Sequence, residues 1–329
     1  MTLTHHTQPV SLLETIGNTP LVSLDTGPVD VPIYTKLETF NPGGSIKDRI
    51  GCYIIETLLE RGTLPANGTV IEPTAGNTGI GMAIAAAQLN LNAIFVVPKG
   101  FSKEKETLMA ALGAEIVNVS NNAGMQGAAK KAYELADERD DAVVPQQFAN
   151  ELNDEAHEQT TGPEVLETLG DRIGALVVGI GSGGTIMGMA RAIRAKIPDL
   201  YVVGVEPAGS MYGTLKGKPR EERPYKIEGI GTHDPTVAER LVPEELDDVV
   251  SVSDEAAHAE VNRLAREEGH LVGSSSGAAS VAAQRIAESI DAGELSVPYP
   301  SVVTVFPDGS ERYLSKNLYG AYADWEGKA

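Results

Sequence analysis

The chain has 329 residues, which corresponds to about two domains at the usual ~150 residues per domain. Hydrophobic residues make up 42% and charged residues 22%, and these ordinary fractions exclude wholesale disorder, collagen and coiled coil. The formal net charge of −20 argues against nucleic acid as a partner, because such a surface repels phosphate.

Membrane insertion and secretion also lose support from the sequence. No apolar run approaches the ~20 residues that span a bilayer, and the first seven residues contain neither a basic nor an apolar leader segment. The single cysteine, Cys52, cannot form an internal disulfide. The six histidines show no metal-ligand spacing apart from the adjacent His5 and His6, so we predict no metal site. These features predict a cytoplasmic protein.

The excess of 46 acidic over 26 basic residues suggests adaptation to salt. Dense carboxylates repel one another in dilute buffer and are screened at high ionic strength. We interpret the surface as halophilic, and the alternative is a mildly acidic mesophilic protein.

Short β-rich runs alternate with helical patterns along the chain, which predicts an α/β fold. Several strands are continuous apolar runs, as expected for parallel strands covered on both faces. The predicted strands are residues 33–37, 69–72, 93–97, 115–119, 175–178, 201–205 and 302–305. The predicted helices are residues 48–61, 79–89, 103–112, 125–138, 186–196 and 254–268. A polar stretch near residues 150–154 is the predicted boundary between a domain of residues 1–150 and one of residues 151–329.

The segment around Lys47 is typical of a tight turn followed by a helix, with Ser45 as the expected N-cap. Lys47 then falls in the first turn, where the helix macrodipole disfavours an ammonium group and favours the neutral, nucleophilic amine. The alternative is a solvated surface lysine whose neighbour Asp48 supplies the favourable charge. The segment alone leaves both interpretations open.

Three loops rich in glycine or hydroxyl residues follow. Residues 72–81 join a strand to a helix, and successive backbone N–H groups in such a turn can bind a carboxylate or a phenolate oxygen. Residues 179–185 form a second such loop, and residues 273–279 place three serines at a helix start. Those serines are either competing N-caps or place a hydroxyl against the ring nitrogen of a ligand.

The second loop permits two interpretations. Gly179, Gly181 and Gly184 satisfy G-x-G-x-x-G, and Glu206 follows about 20 residues later, as in NAD-dependent dehydrogenases. Alternatively, the loop holds one phosphate monoester. A dehydrogenase leaves Lys47 and residues 74–78 without a role, whereas pyridoxal phosphate needs a lysine, a phosphate site, a partner for its ring nitrogen and a separate carboxylate site. Pyridoxal phosphate therefore fits the set of motifs better.

Seven ordered motifs make the chain similar to the cysteine synthase and cystathionine β-synthase family of pyridoxal phosphate enzymes. They span nearly the whole chain, and they are residues 17–21, 41–49, 72–81, 160–164, 181–185, 228–231 and 275–279. The resemblance implies two three-layer α/β/α domains of the tryptophan synthase β-like fold (fold type II), with residues 12–40 crossing to the other domain. It also implies a homodimer and, as a possible partner, serine acetyltransferase.

The resemblance also implies a role for individual residues. Lys47 would hold the cofactor through a Schiff base and remove the α-proton of the substrate. The cofactor would also be bound through Asn77 at its ring oxygen, Gly181, Ser182, Gly183, Gly184 and Thr185 at its phosphate, and Ser275 at its ring nitrogen. The substrate would be bound by Thr74, Ala75, Gly76, Thr78 and Gln147 at its carboxylate and by Gly229 near its amine. Ala75 departs from the family, which usually has serine there, so one hydroxyl donor is missing.

The implied reaction is β-replacement on a serine derivative through an α-aminoacrylate. Sulfide as nucleophile gives cysteine, and homocysteine gives cystathionine. We favour cysteine synthase acting on O-acetylserine, because the sequence shows neither a regulatory tandem nor a haem-binding extension. A basic run offers O-phosphoserine as a second substrate, unless it is a solvated loop balanced by Glu221 and Glu222. The run comprises Lys216, Lys218, Arg220, Arg223 and Lys226.

Overall fold

The structure is a computed structural model that describes residues 9–219 and 222–319. Within these residues the chain divides into two compact units. The first unit contains the residues up to Thr19 and Phe40–Pro145, and the second contains Pro20–Thr39 and the residues from Gln146 onward. The second unit is therefore built from two separate stretches of sequence.

Strands and helices alternate through most of the described chain. The strands are β1 (Leu21–Leu24), β2 (Ile33–Leu37), β3 (Thr69–Pro73), β4 (Asn92–Pro98), β5 (Glu115–Val119), β6 (Ala142–Val143), β7 (Ala175–Gly179), β8 (Tyr201–Pro207), β9 (Asp248–Val252) and β10 (Val302–Phe306). The α-helices are α1 (Lys47–Glu60), α2 (Asn77–Gln88), α3 (Lys103–Ala111), α4 (Gly124–Asp137), α5 (Leu152–Ala156), α6 (Gly162–Leu169), α7 (Gly184–Arg194), α8 (Asp254–Arg263) and α9 (Ser274–Asp291). Two π-helical turns, His157–Thr161 and Leu264–Glu268, follow α5 and α8.

The first unit contains a parallel sheet in the order β5-β4-β3-β6. Ile71, Ile94 and Val96 of this sheet pack against the small side chains Ala128 and Ala132 of α4. The chain leaves β3 toward β4 and β5 on one side and returns as β6 on the other, so β3 lies at a topological switch point. Loops at the carboxyl end of such a strand are where open α/β sheets bind ligands.

The second unit contains a sheet in the order β1-β2-β10-β7-β8-β9, in which only the β1–β2 pair is antiparallel. Its apolar core includes Val177, Val203 and Val302 of the sheet and Ala278 and Ala282 of α9. The chain runs from β7 to β8 and β9 on one side and returns to the other side of β7 as β10. The carboxyl end of β7 is therefore a second switch point.

The predicted α/β architecture with two α/β/α domains is confirmed. Each of the seven predicted strands coincides with an observed strand, and β1, β6 and β9 were not predicted. The six predicted helices are observed with ends shifted by a few residues, α9 begins at the helix start predicted within residues 273–279, and α5 and α6 were missed. Among the described residues, no helix combines the length and apolar character that crossing a bilayer requires. In the same part of the chain, no group of three or more His, Cys, Asp or Glu side chains could hold a metal ion.

Candidate active site

Lys47 is the first residue of α1, and its side chain is partly buried. The prediction that Ser45 is the N-cap of this helix is wrong by one residue, because the N-cap is Ile46 in helical conformation. Ser45 nevertheless satisfies the first helical donor, since its Oγ accepts a hydrogen bond of 3.2 Å from the backbone N–H of Lys47. The lysine backbone is therefore fixed at the very start of the helix.

The candidate carboxylate loop, residues 74–76, connects β3 to α2 at the first switch point. Thr74 and Thr78 are buried, and the Thr74 hydroxyl accepts a hydrogen bond of 3.4 Å from the N–H of Gly76. Gly76 is the N-cap of α2 and Asn77 is its first residue. The positive dipole end of this helix favours an anion at the loop.

Two glycines hold Lys47 and this loop together. α1 and α2 cross where a Cβ on Gly51 would lie 2.5 Å from the carbonyl carbon of Gly81. A Cβ on Gly81 would lie 2.4 Å from the carbonyl oxygen of Lys47 itself. The backbones are in direct contact, so the start of α1 is positioned against the helix that presents the carboxylate loop.

The candidate phosphate loop, residues 181–185, follows β7 and leads into α7 at the second switch point. Gly183 adopts a left-handed conformation with φ of +89°, which side chains rarely tolerate. A Cβ on Gly181 would lie 2.7 Å from the carbonyl oxygen of Gly229, and one on Gly184 would lie 2.2 Å from Asn153 Oδ1. Glycine is therefore required at positions 181 and 183, and a side chain at position 184 would displace the Asn153 amide.

The second unit brings most of its predicted site residues near this loop. Gly229 has φ of +84°, and the N–H of Gly231 donates to the carbonyl of Ile180 over 2.7 Å. The backbone carbonyl of Gln147 accepts a hydrogen bond from Asn153, which also donates to Ser182. Gln147 thus shares a hydrogen-bond partner with the phosphate loop.

The start of α9 is linked by a hydrogen bond to residue 228, next to Gly229. The backbone N–H of Glu228 donates to the hydroxyl of Ser274 over 3.2 Å. Ser275 follows in the first turn of α9 and is 4% exposed. The segment that carries Gly229 is therefore tied to the helix start that carries Ser275.

Tyr212, which is not among the site residues predicted from the sequence, also contacts the phosphate loop. Its phenol is fully buried and donates a short hydrogen bond to the carbonyl of Gly181. Burial raises the pKa of Tyr212, which keeps the phenol protonated as a donor.

Two fully buried polar side chains, Asn153 and His157, also contact the loop hydroxyls. Neither residue is among the site residues predicted from the sequence. The available signal was their spacing of four residues on one helical face.

The dehydrogenase alternative needs the carboxylate of Glu206 to bind a ribose, but this carboxylate is buried and hydrogen-bonded within the protein. It is 2% exposed, and its Oε1 accepts hydrogen bonds from the N–H of Gly213 at 3.1 Å and the hydroxyl of Ser251 at 2.8 Å. A carboxylate in that position is not exposed to a ligand at the end of its strand. The geometry of Glu206 therefore disfavours a dinucleotide.

The basic run is largely engaged with backbone oxygens. The ammonium group of Lys216 donates to the carbonyl of Leu246 over 2.7 Å, and that of Lys218 donates to Val249 and pairs with Asp248. The guanidinium of Arg223 donates to the carbonyl of Ala208 over 3.3 Å. Arg220 lies outside the described residues. Two of the lysines are thus engaged by backbone carbonyls and a carboxylate. This weakens the interpretation of the basic run as a surface that attracts the phosphate of O-phosphoserine.

The residues present fit the cofactor that the resemblance implies. The phosphate loop combines a helix start, a left-handed glycine and two hydroxyls, which suits a phosphate monoester. Asn153 donates to the Ser182 oxygen and so leaves the serine proton available to an acceptor in the loop. Lys47, at the start of α1, supplies the amine that such a cofactor requires.

Comparisons with known proteins agree with this geometry. A family model for pyridoxal-phosphate dependent enzymes matches residues 12–308. A cysteine synthase of Helicobacter pylori is 43% identical over 314 residues, covering 94% of this chain and 98% of the relative. An O-acetylserine dependent cystathionine beta-synthase of Bacillus subtilis is 44% identical over 310 residues, covering 94% and 97%.

A solved structure supports the same grouping. The crystal structure of an O-acetylserine dependent cystathionine beta-synthase from Helicobacter pylori matches with a TM-score of 0.83 and 42% identity, covering 97% of this chain and 99% of that one. The likeness extends over 97–99% of the length of each of these relatives. The chain therefore belongs to the pyridoxal-phosphate dependent enzymes, within the cysteine synthase and cystathionine β-synthase family.

Proposed function

We propose that the protein catalyses β-replacement on O-acetylserine, with sulfide as the nucleophile and L-cysteine as the product. In this reaction the bond between the β-carbon and the acetate oxygen breaks, acetate leaves, and a bond from sulfur to the β-carbon forms. When bound, pyridoxal phosphate supplies the electron sink that stabilises negative charge at the α-carbon. Lys47 Nζ removes the α-proton and later returns it.

The other site residues bind and orient. The carboxylate of the amino acid is bound by Thr74, Ala75, Gly76, Thr78 and Gln147, and Gly229 lies near its amine. Asn77 donates to the ring oxygen of the cofactor, Ser275 faces its ring nitrogen, and residues 181–185 bind its phosphate. A serine at the ring nitrogen leaves that nitrogen uncharged, which favours elimination and replacement over transamination.

One observation carries the proposal. The backbone of Lys47 lies against Gly81 of α2, the helix whose start presents residues 74–76. The amine that takes the α-proton and the loop that binds the neighbouring carboxylate are thereby held on adjacent helices. A general base must lie within hydrogen-bond reach of the proton that it abstracts, and this arrangement supports that requirement.

The identity of the nucleophile is the main alternative. The relatives in Bacillus subtilis and Helicobacter pylori that are named O-acetylserine dependent cystathionine beta-synthase favour homocysteine as a second candidate. Their names also favour O-acetylserine as the activated substrate. The alternative function is therefore a cystathionine β-synthase, acting on O-acetylserine or on serine.

We expect kcat/KM with O-acetylserine and sulfide to exceed that with serine and homocysteine by at least about tenfold, because acetate leaves more readily than hydroxide. Steady-state kinetics with O-acetylserine or serine, each with sulfide or homocysteine, measures this. A higher value for O-acetylserine with homocysteine replaces the sulfide assignment with the first alternative. A higher value for serine with homocysteine replaces both parts of the proposal.

O-Phosphoserine remains a proposed second substrate that the same assay tests. If Arg223 attracts a dianion, Arg223→Ala lowers kcat/KM for O-phosphoserine and leaves that for O-acetylserine unchanged, and the loss disappears at high salt. If the wild type and Arg223→Ala have equal kcat/KM for O-phosphoserine, the basic run does not attract this substrate and that part of the proposal is wrong.

We also propose that the net charge of −20 reflects salt adaptation. Screening removes repulsion among carboxylates that the folded state otherwise bears. We expect the melting temperature to rise by at least about 3 °C, roughly 2 kcal/mol for a chain of this size, between low and molar potassium chloride. An equal series in sucrose, which is excluded from protein surfaces but does not screen charge, is the control. A flat or falling series in potassium chloride identifies the protein as a mildly acidic mesophilic one.

A cytoplasmic location, a homodimer and a serine acetyltransferase partner remain predictions from the sequence and its resemblance. Size-exclusion chromatography with light scattering measures the oligomeric state directly.

A further inference from the structure

We infer that Asn153 and His157 are positioning residues that orient the hydroxyl groups of Ser182 and Thr185 as donors toward the cofactor phosphate. The inference rests on the proposed assignment of residues 181–185 to the phosphate. Asn153 lies on α5 and His157 begins the π-helical turn that follows, so they project from one helical face four residues apart. Both are 0% exposed. Neither belongs to the loop that would contact the phosphate.

Asn153 determines the direction of the Ser182 hydroxyl. Its Nδ2 lies 2.8 Å from the carbonyl oxygen of Gln147 and 2.8 Å from Ser182 Oγ, so both amide protons are used. The reverse amide orientation would set Oδ1 against the Gln147 carbonyl oxygen, which is also an acceptor. Ser182 Oγ therefore accepts from Asn153, and it accepts weakly from the N–H of Gly184 at 3.5 Å. Its own proton remains for an acceptor such as a phosphate oxygen.

His157 acts on Thr185 in the same way. Its Nε2 lies 3.1 Å from Thr185 Oγ1, and its Nδ1 lies 2.9 Å from Thr161 Oγ1. A neutral imidazole donates from one ring nitrogen and accepts at the other. His157 therefore either accepts from Thr161 and donates to Thr185, or accepts from Thr185 and donates to Thr161. Only the tautomer with the proton on Nε2 donates to Thr185 and leaves the Thr185 proton for the phosphate.

The threonines behind His157 favour that tautomer. Thr160 donates its hydroxyl proton to the carbonyl of Ala156 over 2.6 Å. Thr161 Oγ1 lies 3.5 Å from the Thr160 hydroxyl oxygen but only 2.9 Å from His157 Nδ1. The better use of the Thr161 proton is donation to Nδ1, which requires the proton of the ring to be on Nε2. The hydrogen bonds thus run from Thr161 through His157 to Thr185.

Ion pairs anchor the helix that carries Asn153. Asp154 is 2% exposed, and it pairs with Arg191 of α7 and with Arg240, the latter over 2.8 Å. α5 is therefore fixed against the helix that starts with the phosphate loop. These ion pairs restrain the backbone of α5 and so favour a fixed position for the Asn153 side chain.

The tautomer can be measured on the wild-type holoenzyme. With 15N-labelled histidine, we expect the ring of His157 to show a protonated Nε2 and an unprotonated Nδ1, and the spectrum of His157→Gln assigns the signals by their absence. A ring protonated on Nδ1 alone overturns the inference for Thr185. This experiment needs no assumption about which amino acid is the substrate, so failure of the proposed reaction does not affect it.

Two substitutions of His157 separate orientation from packing. The amide nitrogen of glutamine mimics Nε2 of histidine, whereas that of asparagine mimics Nδ1. We expect the equilibrium dissociation constant for pyridoxal phosphate to rise about tenfold or more in His157→Asn and less than threefold in His157→Gln. His258→Asn, the same change on α8 of the same unit, is the control and should bind like the wild type. Equal affinity in all four proteins overturns the inference.

A double-mutant cycle tests whether His157 acts through Thr185. In a Thr185→Val background, His157→Asn should change the dissociation constant less than twofold, because the hydroxyl that it orients is absent. A loss in that background as large as in the wild type means that His157 supports the fold only.

Ser182 offers the corresponding test of Asn153. Asn153→Asp should raise the dissociation constant, because the new carboxylate draws the Ser182 proton toward itself. Asn153→Leu should also raise the dissociation constant in the wild-type background, whereas in a Ser182→Ala background it should have little further effect. A full loss in that background overturns the assignment of Asn153.

Discussion

Lys47→Ala is expected to lower kcat by at least about ten-thousandfold and to abolish the covalent bond between protein and cofactor. Lys47 is the first residue of α1, and its backbone is held against α2 through Gly81. Other lysines, such as Lys36 in its buried ion pair with Glu164, are bound elsewhere in the fold. Steady-state kinetics and the visible spectrum of the purified variant measure the two effects.

Mass spectrometry of the borohydride-reduced wild type locates the covalent bond independently. The pyridoxyl adduct should be on the peptide that contains Lys47, and an adduct on another lysine contradicts the assignment. Lys99→Ala, at an exposed position of the same unit, should keep activity and the adduct. Because residues 181–185 are unchanged in Lys47→Ala, the variant should still bind the cofactor noncovalently.

Gly81→Ala is expected to reduce both stability and turnover. The new methyl group would lie 2.4 Å from the carbonyl oxygen of Lys47 and 2.8 Å from its carbonyl carbon, and backbone atoms cannot rotate away as a side chain does. Overpacking typically costs about 1–3 kcal/mol and here exceeds the ~1 kcal/mol that alanine gains over glycine in a helix. Displacing Lys47 by an ångström should lower kcat by about a hundredfold.

Urea denaturation and kcat together check this prediction. Gln88→Ala, at the exposed end of the same helix, is the control and should retain wild-type midpoint and turnover. A Gly81→Ala protein with both quantities unchanged would show that α1 and α2 have room to separate and that their contact does not position Lys47.

The sequence predicted the parts of the fold that have strong local signals. β4 and β10 are continuous apolar runs that are buried along almost their whole length, so their strand character was evident. β6 has two residues and α5 has five, and elements this short have no periodicity to detect. β1 is half exposed and depends on antiparallel pairing with β2, which is a tertiary contact.

The site shows the same division. Glycine-rich loops after strands and a lysine at a helix start are local patterns, and the structure places both at switch points or helix starts. The hydrogen bonds of Asn153 and His157 are not local, because they join residues 28 and 29 positions apart. The role of Gly81 likewise depends on the crossing of two helices, which no single segment of sequence encodes.

The pairing of β2 with β10 has a consequence for biosynthesis. Ile33 lies opposite Val302 and Leu37 lies opposite Phe306. β2 is synthesised early, so it cannot form this pairing until β10 has been synthesised. At 5–20 residues per second the delay is on the order of 15 to 50 seconds. The four strands of the first unit all emerge from the ribosome within that interval. During it, one edge of β2 has no partner, and an unpaired strand edge exposes the nascent second unit to aggregation.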